Sequence, residues 1–512
     1  MADKQVPFDS VERHSSSDHT DEKTTHKATT TDLPPLAATD KTRWERSWPT
    51  IACGAGLFSD GYLQAVIGPV NTILKSLYGD AYTKSSARQN VTSIAFAGTV
   101  VGQLVFGYTS DHYSRKWSLF ISTVILFVFA ALGAGSYGAG GSVQGLFAAL
   151  TAYRFLLGIG IGGEYPAGSV GAAESTGELK EGHRNRWFCL FTNTQIDLGF
   201  VIGTLVPMII TRAAPDNLTL VWRLSLALGV IPPLSLLYLR LKLNEPESFS
   251  RESFKRTKTP YYLALKFYGP RLLLVCGIWF IYDFLTYPFS IYSSAWIDVI
   301  QPDAALWQTF GWACLVNLFY LPGAIFGSFT SDWMGPRKAL FVFVIAQGVL
   351  GFIMSGCYEY LKMPKNIAGF VVVYGVFLML GEMGPGDNIG LVASKTCATG
   401  IRGQYYAIAA AMGKIGGFIG NYIFPYIQDA GGSSVVRQGQ YPFYVASSLC
   451  FLSAFLVWLL PEINQDTIEK EDIEFRKYLE LHGFDTSAMG LGVLPERSHD
   501  SVGKIDSKED SS

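Results

Sequence analysis

Eight ionisable residues lie inside stretches otherwise apolar enough for hydrocarbon. They are Asp60 in GLFSDGYLQ, Arg154 and Glu164 in YRFLLGIGIGGEYP, Asp197 in NTQIDLG, Asp283 in WFIYDFLTYPFS, Glu382 and Asp387 in GEMGPGDN, and Lys414 in AAMGKIGGF. A charge at mid-bilayer costs about 2.5–3.5 kcal/mol on insertion scales, so each implies a partner and a task. Arg154 stands near the start of its apolar stretch and Asp387 beside Pro385; for these two, a wet helix end is an equal reading. Lys414 is flanked on both sides by apolar and small residues. One lysine among several acids suits an oxyanion, because an ammonium offers a mobile point charge and three donors to phosphate oxygens. A protonated carboxyl donates to such an oxygen, whereas an ionised one repels it. Proton and anion binding then reinforce each other, which is a physical basis for symport. Trp279, Asp283 and Tyr287 recur every fourth residue and share one helix face. Pro288 is expected to interrupt that helix, as happens where backbone lines a cavity. Tyr165, Gln195, Tyr287 and Asn388 are neutral donors able to complete the shell.

The elements that must position these residues are membrane helices. Of the 512 residues, 49% are hydrophobic and 16% charged, against about 25% charged in a soluble domain. Apolar runs of membrane-spanning length are expected at about 48–74, 90–109, 117–138, 144–168, 187–211, 220–240, 270–298, 306–330, 339–358, 366–392, 403–428 and 440–460. Residues 1–43 are polar, rich in Ser and Thr and broken by Pro34 and Pro35, so a disordered tail is expected there and again over about 484–512. The domain reading is therefore a tail 1–43, a six-helix half 44–241, a central loop 242–269, a second six-helix half 270–462 and a tail 463–512. Lys and Arg concentrate in the loops after helices two, four, eight and ten and in the central stretch, while the loop GAGGSVQG after helix three has no charge. That bias puts both tails and the central loop in the cytoplasm. The acceptor pattern at Asn217, Leu218 and Thr219 falls in a loop assigned outside. A net charge of −2 suggests no nucleic-acid partner, and the seven cysteines show no metal or redox spacing. No Walker loop, metal motif or nucleophile elbow is present, so neither an enzyme nor a cofactor or metal is expected.

The two halves repeat. GYTSDHYSRK (107–116) follows helix two and GSFTSDWMGPRK (327–338) follows helix eight; Pro246-Glu247-Ser248 follows helix six and Pro461-Glu462 helix twelve. An internal repeat implies a substrate site between halves. Here the chain resembles the major facilitator superfamily, an all-α membrane fold of twelve helices. The resemblance makes Asp111 and Arg115, and in a looser copy Asp332 and Arg337, gating-loop residues; the second loop carries one extra residue before its arginine.

GIGGEYP (160–166), the Trp279/Asp283/Tyr287 face and GKIG (413–416) resemble the phosphate:proton symporters of that superfamily. GLFSDGYLQ, GIGIGGEYPAGS and above all GEMGPGDNIGLVASKTCATGIRGQYYAIAAAMGKIGGFIGNYIFP resemble the fungal glycerophosphodiester permeases. The resemblance covers about 45–475. It implies a plasma-membrane symporter that imports a small anionic organophosphate with protons. Tyr165, Trp279, Asp283, Tyr287 and Lys414 would be phosphate-site residues; Gln195, Asp387 and Asn388 would join them, and Asp60, Glu164 and Asp197 would handle protons. Three departures stand out. Glu164 replaces the aspartate usual in inorganic-phosphate members, Gln195 and Asp197 flank the expected glutamine, and the helix-ten Gly-Pro-Asn is here GPGDN. An added glycine and acid would suit a larger substrate bearing hydroxyls or a cation. Inorganic phosphate is the alternative substrate. A sugar or polyol carrier leaves Lys414 without a role, and a nutrient receptor would carry longer tails.

Overall fold

The computed structural model describes residues 43–176, 182–243, 249, 253–254, 258–463, 467–487 and 489. The expected N-terminal tail before residue 43, the motif at 246–248, Lys180, and Arg251, Lys255 and Arg256 of the central stretch lie outside the described residues.

All twelve expected crossings are helical. Eleven are long and apolar enough to span a membrane: Ala87–His112, Arg115–Ala134, Val143–Thr176, Arg184–Ala213, Leu218–Leu241, Tyr261–Ile291, Leu306–Trp333, Pro336–Leu361, Pro364–Lys395, Thr399–Asp429 and Val435–Trp458. These are helices two to twelve. Helix one is divided into Arg43–Gly54, Leu57–Ala65 and Ile67–Tyr78, so no single segment spans alone. Large apolar side chains such as Leu104, Ile121, Leu234, Leu273 and Phe455 are exposed on the outer surface. That surface suits lipid tails, because a soluble monomer rarely exposes so much apolar area. Trp117, Trp333 and Trp458 are exposed at the basic ends of helices three, eight and twelve, where an aromatic belt meets the headgroups.

Three local features place the site. First, the fourth helix of each half changes from α to π winding at a glutamate followed by a proline: Glu164–Ser169 in helix four and Glu382–Gly386 in helix ten. Proline supplies no N–H, so the hydrogen-bond ladder opens there. Second, Pro288 does not end helix seven; the helix continues to Ile291, turns at Tyr292 and resumes over Ser293–Ile300. The carbonyl that Pro288 cannot satisfy is that of Phe284, and Gly420 of helix eleven packs directly on it. Third, Gly416 lies against the Phe280 carbonyl in the same way, so that a Cβ at either glycine would strike backbone. GKIGGFIG thus lets helix eleven lie on helix seven, which brings Lys414 to Asp283 and Tyr287.

Part of the expected C-terminal tail is ordered. Helix Thr467–Leu481 buries Phe475 and Leu479 against Tyr268, Ala398 and Tyr405. Its Asp472 accepts from the Thr399 amide at 2.6 Å and its hydroxyl at 2.7 Å, and Glu471 pairs with Arg271 at 2.5 Å. The helix is too short and too charged to read as a crossing, and its apolar stripe covers only one face.

Candidate substrate site between the halves

A cavity with about 560 Å3 of atom-free space lies between the halves, lined by helices one, four, five, seven, ten and eleven. Of the expected substrate residues, Tyr165, Trp279, Asp283, Tyr287, Asp387 and Lys414 line it, as does Asp197.

The cation end is built on Lys414, which is 1% exposed. Its ammonium donates to the Tyr287 hydroxyl and lies 3.2 Å from Asp283 Oδ2. Among the described residues that carboxyl oxygen receives no aligned hydrogen bond, so the Asp283 contact with the ammonium is chiefly electrostatic. The ammonium also sits over the rings of Tyr165 at 4.6 Å and Tyr287 at 4.3 Å. Aromatic faces stabilise a cation without consuming its N–H groups, so donors remain for an anion. Tyr165 donates to Asp60 Oδ2, tying helix one to this end. Trp279 closes the wall edge-on to Tyr406, with ring centroids 5.3 Å apart.

The acid end faces it. Asn193 Nδ2 donates towards Asp197 Oδ2 (3.3 Å), Glu382 Oε2 (3.0 Å) and Asp387 Oδ1 (3.2 Å), and Tyr282 donates to Glu382 Oε1 at 2.8 Å. Gly386 makes the room, since a Cβ there would run into Glu382 and Tyr282. Asp387 is 1% exposed; it and Arg154, also buried and donating to the Leu63 carbonyl at 3.2 Å, are not at wet helix ends.

Other expected residues lie apart from the cavity. Gln195 turns back to the Leu190 carbonyl at 3.3 Å. Asn388 faces helix eight, accepting from Ser331 at 2.7 Å and donating to the Gly384 carbonyl at 2.8 Å. Glu164 points into the first half, where Arg240 grips both its oxygens at 2.5 Å and Ser122 donates at 3.2 Å. Gly384 packs on Phe343 rather than lining the cavity.

Contacts between the halves lie on both sides of this space. At the basic end, Arg115 binds Asp111 at 2.6 Å and Glu174 at 2.9 Å, and Glu174 reaches across to Arg402 of the second half at 3.2 Å. Asp111 also accepts the backbone N–H groups of Gly403 (3.0 Å) and Gln404 (2.7 Å) at the start of helix eleven, where a carboxylate meets the helix dipole. The second loop is built differently. Asp332 takes the Arg186 amide of the first half at 3.3 Å, while Arg337 donates to the Trp458 carbonyl at 2.6 Å. At the opposite end the cross-half contacts are slighter: Thr72 with Ser294 at 3.4 Å, exposed Lys75 with Asp298 at 3.5 Å, and Arg212 over Trp307 at 5.4 Å.

Sequence reasoning missed Arg240, Asn193, Tyr282, Tyr406 and Glu174. Asn193 had a signal, because it precedes Asp197 by one helical turn and so shares its face. Arg240 had none, since an arginine in the last turn of a crossing reads as ordinary positive-inside charge.

Comparison with known proteins agrees with this architecture. The profile of the "Sugar (and other) transporter" family matches residues 48–258 and 247–475. A glycerophosphocholine permease of Candida albicans is 49% identical over 471 residues, covering 90% of this chain and 88% of its own. The major glycerophosphoinositol permease of the same organism is 49% identical over 453 residues, covering 87% and 84%. The solved structure of the proton:xylose symporter XylE superposes with a TM-score of 0.67 at 19% identity, covering 84% of this chain and 98% of that one. The chain belongs to the sugar (and other) transporter family of the major facilitator superfamily, a family of transporters and not of enzymes, and within it groups with the fungal glycerophosphodiester permeases.

Proposed function

We propose that this protein is a proton-coupled symporter that imports glycerophosphodiesters, such as glycerophosphocholine or glycerophosphoinositol, across the plasma membrane. Both termini and the central loop face the cytoplasm in this reading, as the distribution of Lys and Arg favours. The observation that carries it is Lys414: a buried ammonium lining the cavity, seated on two aromatic faces and holding one acid loosely. The phosphodiester takes this end, with Tyr165, Tyr287 and protonated Asp283 as donors. The head group takes the opposite end, where Asp387 and Asn193 meet inositol hydroxyls or a choline cation. The relatives named for such diesters support the substrate class. In this reading Asp60, bound to Tyr165, and Asp197 pass the protons, and Glu164 does so only if its pair with Arg240 opens.

Uptake of labelled glycerophosphoinositol by cells expressing the protein tests the reading. Glycerophosphocholine should compete at micromolar levels, inorganic phosphate only far higher, and glucose not at all. Uptake should also collapse with a protonophore. Equal or better competition by phosphate makes the protein a phosphate symporter; indifference to the protonophore makes it a facilitator.

A further inference from the structure

Asp197, Glu382 and Asp387 come together from opposite halves, helix five giving the first and helix ten the other two. All three are at most 1% exposed. Their shared donor is one amide nitrogen, Asn193 Nδ2, and Tyr282 adds a second donor to Glu382 alone. Asp387 Oδ2 is buried and has no hydrogen-bond partner among the described residues. No described Lys, Arg or His forms an ion pair with any of the three. The groups around them are named element by element. Helix five adds Cys189, whose thiol bonds the Asp387 backbone carbonyl; helix seven adds Tyr282 and Asp283, the latter held by Lys414 of helix eleven; helix eight adds the neutral phenol of Tyr320. None of these neutralises three carboxylates.

Three ionised carboxylates around one amide cannot coexist in a low-dielectric site. Like charges sharing a site drive protons onto all but one, and the repulsion left otherwise would part helix five from helix ten. In a proton-coupled carrier, protons are the ligand that neutralises such a cluster. We propose that Asp197, Glu382 and Asp387 form one proton-binding unit across the interface, and that its protonation permits the halves to close over the cavity. Asp387 lines the cavity, so an arriving head group contacts the unit directly, and proton loss on the far side loosens both the interface and the substrate. The unit deepens the proton-symport reading above and rests on it.

The full-length protein in proteoliposomes, loaded with a pH-sensitive dye, tests this. Proton influx per molecule of labelled substrate is measured for wild type, Glu382→Gln and Asp197→Asn, with glycerophosphocholine and with glycerophosphoinositol. The ratio does not depend on how much protein folds or how fast it turns over. Each substitution should lower the ratio by about twofold or more, because the three sites titrate as a unit, and should flatten the pH dependence equally for both substrates. An unchanged ratio in both variants overturns the proposal while leaving symport intact. A loss confined to the choline diester also overturns it and makes the acids a cation subsite. No proton influx in wild type overturns the symport reading itself.

Discussion

Glu164 and Glu382 occupy matching places in the two halves, and the structure treats them in opposite ways. Each opens a π-wound segment ahead of a proline in the fourth helix of its half, within Gly-Glu-Tyr-Pro in one and Gly-Glu-Met-Gly-Pro in the other. Glu164 turns into its own half and is gripped by Arg240, which also donates to Thr123 and the Leu119 carbonyl. Glu382 turns towards the other half, where its hydrogen-bond donors among the described residues are an amide and a phenol. The repeat preserves the backbone device, while the neighbouring helix decides the chemistry. A guanidinium makes one glutamate a rivet; its lack leaves the other dependent on protons. Two neutral donors cannot hold a second and third acid ionised nearby.

The strongest way to break this comparison is to remove the guanidinium. Arg240→Met leaves Glu164 buried without its partner, which costs about 3–5 kcal/mol. Little protein should reach the membrane, and what does should lose its fluorescence size-exclusion peak at lower temperature. Glu382→Gln should keep near-normal abundance, because the glutamine oxygen still accepts from Asn193 while its NH2 donates to the Tyr282 hydroxyl. Equal abundance of the two variants would mean that Glu164 is no more structural than Glu382.

Lys414→Ala separates structure from transport on the second-half side. The ammonium stands over tyrosine rings and beside the cavity and touches Asp283 through one contact, whereas Arg240 grips both oxygens of Glu164, so loss of the ammonium disturbs packing less. Abundance should hold. Uptake should fall by about two orders of magnitude, since losing one member of a buried charge contact costs about 2–5 kcal/mol. Near-normal transport would remove the anion argument altogether.

These contrasts were legible in the sequence only in part. The twelve crossings followed from apolar length, and Tyr165, Trp279, Asp283, Tyr287 and Lys414 converge because a regular helix face and a glycine row position them. Failures cluster where helical phase is reset. Helix five breaks at Thr192, so Gln195 turns back on the break while Asn193 faces the acids. The π turn in helix ten shifts the register, which sends Asp387 to the cavity and its neighbour Asn388 to helix eight. One extra residue in the second copy of the repeated loop carries Arg337 past Asp332 and onto the end of helix twelve. The C-terminal helix was hidden because a single apolar stripe among charges resembles a solvated tail.

The smallest expected effect is the most discriminating. In Glu164→Leu with Arg240→Met, both charges go together and side chains of similar volume replace them. A buried pair exchanged this way is often neutral, or stabilising by about 1–4 kcal/mol, because desolvating two ions offsets most of their attraction. Abundance should therefore return to within about 1 kcal/mol of wild type, against the collapse expected for Arg240→Met alone. The double variant also removes Glu164 as a proton carrier without unfolding the first half. If protons are carried at Asp60 and the acids between the halves, uptake at an external pH of about 5 should still exceed that at about 7.5 by the wild-type ratio. A flat profile in a well-folded double variant would instead make Glu164 a carrier that opens its pair with Arg240 in each cycle, and the two π-wound glutamates would then share one function.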